Sequence, residues 1–125
     1  METAKQTIIS ILVALVAIEH IYFLILEMFL WTKPAGRRIF GLTEQYAKDS
    51  KTLAANQGLY NGFLAAGLLW SLLQSNAAFS EQLQLFFLSC VIVAAVYGAL
   101  TVKRSILFIQ GTLAIVAVVL ICAGR

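Results

Sequence analysis

Long apolar stretches separated by short polar interruptions make up most of this chain. A bilayer core of about 30 Å is crossed by roughly 20 apolar residues in helical form. Four stretches have that length, 8–31, 53–73, 83–102 and 106–123. Thr32-Lys33-Pro34 closes the first, because proline drives the preceding residue out of the helical region. Gln74-Ser75-Asn76 divides the second from the third. Only Lys103, Arg104 and Ser105 divide the third from the fourth, which leaves room for a tight antiparallel hairpin and nothing more. The pattern predicts an all-α integral membrane protein: four transmembrane helices in an antiparallel bundle, forming one transmembrane domain over residues 1–125.

The longest interruption is itself patterned. Ile39, Leu42, Tyr46 and Leu53 recur at helical spacing, while Arg38, Glu44, Lys48 and Lys51 fall mostly elsewhere. Thr43 is placed to cap a helix whose first turn holds Glu44. An amphipathic segment lying on the membrane surface and running into the second span is expected. Its basic residues suit anionic lipid headgroups, with a partner protein as the alternative.

Composition agrees with the spans. Hydrophobic residues make up 61% of the chain and charged residues 12%, against about 45–50% and about 25% in soluble domains. Disorder needs the opposite balance. The two cysteines, Cys90 and Cys122, lie in apolar surroundings and read as small core residues; no Cys/His spacing resembles a metal site. A cleaved signal peptide is the competing reading of the first span, since Lys5 precedes it. That run is too long for a signal core, lacks a small-residue cleavage site and contains Glu19 and His20.

Charge sets the orientation. Lys33, Arg37, Arg38, Lys48 and Lys51 fall in the first interruption and Lys103 and Arg104 in the third; the second has no lysine or arginine. Each terminus carries one, Lys5 and Arg125. By the positive-inside bias, loops 32–52 and 103–105 are cytoplasmic and both termini lie outside, as in a multi-pass protein of a bacterial plasma membrane. The net charge of +3 needs no nucleic-acid partner.

Ionisable residues inside a span are costly, about 2.5–3.5 kcal/mol for a central acid on insertion scales. The first span holds Glu19, His20 and Glu27. His20 and Glu27 are two turns apart on one face, whereas Glu19 points about 100° away from His20. The second span opens with Asn56, Gln57, Tyr60 and Asn61, and Tyr97 and Gln110 lie at a similar depth in the last two spans. This coincidence predicts a polar cavity opening inward. Glu19, His20, Glu27 and Tyr60 are its candidate catalytic groups, and Asn56, Gln57, Asn61, Tyr97 and Gln110 its candidate ligand contacts. Interhelical hydrogen bonding alone is the plainer account of such groups, and it suits Asn61 and Gln110 well. It suits Glu19 and His20 poorly. Gly58, Gly62 and Ala66 form a small-residue stripe for close helix packing, and Trp31 and Tyr46 read as interfacial anchors.

Several of these residues carry a family resemblance. Glu19-His20, Glu27-Met28-Phe29-Leu30-Trp31, Pro34, Phe40-Gly41-Leu42 and the run from Asn56-Gln57-Gly58 through Tyr60-Asn61-Gly62 to Gly67 resemble the domain-of-unknown-function 1304 family. Its members are small four-helix bacterial membrane proteins. The resemblance covers nearly the whole chain and implies the four-span fold without an activity.

Three functions compete. The first is binding or transformation of a lipophilic small molecule or cofactor, with His20 as a general base or axial haem ligand. Styrene oxide isomerase, a four-helix membrane enzyme holding haem through histidine, is similar in architecture alone. The second is proton-coupled transport, with Glu19 in the place where small multidrug exporters carry a first-span glutamate. The third is an assembly subunit working through its glycine stripe and surface segment. Membrane lipids and further copies of the chain are expected partners in all three.

Overall fold

The structure, a computed structural model, describes residues 2–123; Arg125, counted in the charge balance, lies outside the described residues. Helix α1 (Glu2–Met28) is followed by the short α2 (Pro34–Phe40), then α3 (Glu44–Leu72) and α4 (Ala77–Thr101). A π-helical turn (Leu107–Gly111) leads into α5 (Thr112–Ala123). Five α-helices and no strand are found among the described residues. Among the described residues, two helical stretches, Thr3–Met28 and Ala77–Thr101, are long and apolar enough to cross a membrane. Leu107–Ala123 is apolar but shorter. Helix α3 is long but carries Asn56, Gln57 and Asn61 within the stretch that sequence reads as its span.

Helix ends differ from the expected spans for local reasons. The first helix stops at Met28, before Trp31, where the N–H groups of Phe29 and Leu30 both reach the Ile25 carbonyl, at 3.0 and 3.2 Å. Pro34 does not simply end that helix. It opens α2, where its fixed φ is favourable and its missing N–H is no loss. Gly41 then adopts φ 67°, a left-handed cap that breaks the expected amphipathic run between Ile39 and Tyr46. Thr43 caps the next helix, its Oγ1 accepting from the Tyr46 N–H at 3.1 Å. From Glu44 the helix continues unbroken to Leu72, so the surface segment and the expected second span are one element. Helix α4 begins at Ala77 rather than Leu83, because Asn76 Oδ1 accepts from the Phe79 N–H at 3.0 Å and anchors its first turn.

Helix contacts run α1 to α3, α3 to α4 and α4 to α5, and α5 returns to α1. Ile9, Val13, Val16 and Ala17 of α1 meet Leu68, Leu88, Val91, Ala114, Ala117 and Ile121 in the buried core. Residues 9, 13 and 16 form one helical stripe, and its next position is His20. The α1–α3 seam is the closest. A Cβ at Gly58 would lie 2.7 Å from Met28 Cγ and 3.2 Å from the Leu24 carbonyl oxygen, so only glycine admits this approach unstrained. Gly62 faces Leu24 in the same seam. Ala66 is exposed and does not join them.

Candidate functional site

His20 is fully buried, which follows from its place on the core stripe of α1. Its Nδ1 lies 2.8 Å from the Val16 carbonyl oxygen, one turn back. A carbonyl only accepts, so Nδ1 carries the proton. Nε2 is then the acceptor for the Gln110 amide, whose Nε2 lies 3.3 Å away. Phe23 covers the ring edge-on at 5.4 Å between centroids. Gln110 reaches His20 from the π-helical turn, which locally widens the helix and re-aims its side chains; such turns recur at functional sites. Gly111, packed against Ala95 of α4, completes that turn.

Glu19 sits beside this pair. Its Oε1 is buried without a hydrogen-bond partner among the described residues and lies 3.9 Å from His20 Nδ1. That nitrogen already donates to Val16, so the carboxylate is a neighbour of the imidazole and not its partner. Two turns further along α1, Glu27 Oε1 accepts from the Asn61 side-chain amide at 2.5 Å, tying α1 to α3. The polar groups of α1 and their partners thus form two small clusters: His20, Glu19 and Gln110, and then Glu27 with Asn61.

The other expected cavity residues do not join them. Ala54, Gly58, Asn61 and Ala65 form the buried stripe of α3, and Asn56 and Tyr60 fall on the far side of that helix. Gln57 is exposed as well. Tyr60 is 57% exposed and Tyr97 69%, both directed away from the neighbouring helices. One helix cannot aim a polar sector that broad at a single point. The inward-opening cavity that the depth argument predicts is replaced by packed side chains around His20.

Haem does not fit this arrangement. Axial ligation needs a free imidazole nitrogen facing open space, yet both His20 nitrogens are engaged and the ring is enclosed by Phe23 and Gln110. Among the described residues, no three His, Cys, Asp or Glu side chains converge as metal ligands.

A larger space lies at the opposite end of the helices, which sequence reasoning missed. A cavity of about 530 Å³ is bordered by the start of α1, the α3–α4 turn, the start of α4 and Ile121 of α5. Ile9, Leu72, Ala78 and Ile121 give it an apolar wall, but most of its lining is polar, with Lys5, Ser80, Glu81, Gln82 and Gln84 in it. Gln84 is buried and its Nε2 donates to Ser80 Oγ at 3.3 Å, while Ser80 Oγ donates to the Ser71 carbonyl at 2.7 Å. The signal for it was Gln84, a polar residue inside the expected third span that the focus on acids and tyrosines passed over.

The profile of a protein family of unknown function (DUF1304) matches residues 14–122. The chain belongs to that family. It is also 35% identical over 119 residues to the uncharacterized protein YpaA of Lactococcus lactis subsp. lactis (strain IL1403), a match spanning 91% of this chain and 97% of that protein. No solved structure matches the chain. Neither the family description nor the relative's name carries an activity, so the chain's function has to be argued from its own geometry.

Proposed function

We propose that this chain is a membrane protein of four antiparallel spans that binds a small amphiphile, a lipophilic molecule with a polar head, where α1, α3, α4 and α5 end together. The observation that carries this reading is the cavity of about 530 Å³ with the buried Gln84 amide in its wall. Its size falls within the range of about 300–1,000 Å³ typical of small-molecule sites; its lining is mostly polar around a smaller apolar floor, which suits a ligand with a sizeable polar head. The apolar body of the ligand rests on Ile9, Leu72 and Ile121, and its head meets Gln84, Ser80 and Lys5. With the basic loops in the cytoplasm, this mouth and both termini face outward, in a multi-pass bacterial plasma-membrane protein. A second copy covering the outward Asn56, Gln57 and Tyr60 would spare those groups contact with lipid, which supports a homo-oligomer.

Native mass spectrometry of the protein released from nanodiscs tests the reading. Wild type is expected to retain a small amphiphile that Gln84→Leu and the cavity-filling Ala78→Trp both lose. Equal retention by wild type and both variants, or no retained molecule in wild type, overturns it.

Proton-coupled transport is the second reading, favoured by the Glu19 Oε1, buried beside His20 with no hydrogen-bond partner among the described residues, and by Glu27 further along the same helix. Substrate flux in sealed vesicles that stops when the proton gradient is collapsed would establish it over simple binding.

A further inference from the structure

We infer that the turn joining α2 to α3 forms a phosphate-binding site built on Arg37 and Arg38. A depression of about 260 Å³ is lined there by Pro34, Arg37, Arg38, Gly41 and Leu42. The Arg37 Nε is buried and has no hydrogen-bond partner among the described residues. That nitrogen only donates, and a guanidinium cannot shed its charge to escape the cost of burial. It requires an acceptor.

The described residues offer none nearby, and no acidic residue among them lines the depression. Glu44, the closest acid in sequence, pairs with Lys48 at 3.3 Å, and the Asp49 carboxylate accepts from Gln45 at 2.9 Å. The Gly41 N–H is spent on the Arg37 carbonyl. Two arginines on the border of one depression, with no carboxylate among its described lining residues, match an external oxyanion. The planar fork of arginine favours a tetrahedral phosphate, which takes two parallel N–H bonds.

Its surroundings connect the site to a membrane surface. Ile39, Phe40 and Tyr46 are exposed apolar residues flanking the arginines in sequence. Side chains of that kind insert at the level where phosphates lie. The ligand chemistry is therefore a phosphate group, either of an anionic phospholipid or of a free phosphate compound. The site differs from a diffuse basic surface because it uses the buried Arg37 Nε and not charge alone. Lys33, Lys48 and Lys51 contribute attraction but do not line it.

The experiment uses the full chain and two probes. Phosphatidylglycerol retention is measured by native mass spectrometry from nanodiscs of phosphatidylcholine with added phosphatidylglycerol, and inorganic phosphate binding by 31P NMR in neutral detergent. Wild type is expected to hold phosphatidylglycerol, inorganic phosphate, or both. Arg37→Lys, which keeps the charge but lacks the buried Nε–H, should weaken the retained species about tenfold. Lys48→Gln should leave it within about twofold. Retention of the lipid alone assigns a headgroup site, and saturable inorganic phosphate binding assigns a site open to soluble phosphates. Binding of neither probe overturns the inference, as does equal binding by wild type and Arg37→Lys, or equal loss in Arg37→Lys and Lys48→Gln. Unchanged helicity and elution volume of Arg37→Lys exclude misfolding, and Arg38→Lys serves as the second variant if Arg37→Lys does not fold.

Discussion

Gln110, in the π-helical turn before α5, donates its side-chain amide to Nε2 of His20 in α1 at 3.3 Å, joining residues near opposite ends of the chain. With Nδ1 bonded to Val16, this holds the imidazole as the neutral Nδ1–H tautomer. Nitrogen-15 NMR of the histidine, the only one in the chain, is expected to show a protonated Nδ1 and a bare Nε2. Gln110→Leu should remove the donor and move the Nε2 resonance while Nδ1 stays. A protonated Nε2 in wild type would contradict the arrangement.

Among the described residues, Asn61 is the only hydrogen-bond partner of the half-buried Glu27 carboxyl, so its loss should cost more than an ordinary interhelical bond. Such bonds in membranes are worth about 0.6 kcal/mol on average and up to about 1.7. Asn61→Leu is expected to destabilise by about 2 kcal/mol, because it also strands a carboxyl group. The double variant Asn61→Leu/Glu27→Leu should cost less than the two single changes summed. Reversible unfolding in mixed micelles measures both.

Two glycines in one seam should respond differently to the same substitution. A Cβ at Gly58 meets Glu27 Cβ at 3.0 Å and the Leu24 carbonyl oxygen at 3.2 Å, so the helices themselves must separate. At Gly62 the close neighbour is Leu24 Cδ1, the end of a flexible side chain. Gly58→Ala is expected to destabilise by about 1–3 kcal/mol and Gly62→Ala by less than about 1. The same unfolding measurement compares them, and equal costs would show that the seam gives way uniformly.

Gly41 supplies a purely backbone case. A Cβ there meets nothing within 4 Å, so the φ of 67° is the sole source of strain. Gly41→Ala should cost about 1–2 kcal/mol, and Gly41→Asn less, since asparagine tolerates the left-handed region. If alanine is accepted without loss, the α2–α3 turn has another conformation open to it.

The sequence by itself determined the helical class, the long apolar elements, the breaks at Gln74–Asn76 and Lys103–Ser105, a break before Pro34 that in the structure already begins at Phe29, and the Thr43 cap. These are local properties: apolar run length, proline sterics and a hydroxyl three residues ahead of a free N–H. It also singled out His20, Glu19, Glu27, Asn61 and Gln110, because burying polar groups in apolar helices demands a reason. Tertiary structure decided which of the polar residues meet. Helical phase alone turned Asn56 and Tyr60 away from α1, since Gly58 and Asn61 claimed the inward stripe. Gln110 reached His20 through a π turn, which no residue pattern marks because it depends on how Gly111 seats against Ala95. The cavity beside Gln84 and the buried Nε of Arg37 belong to the same class, because a cavity and a missing acceptor exist only once separate segments are brought together.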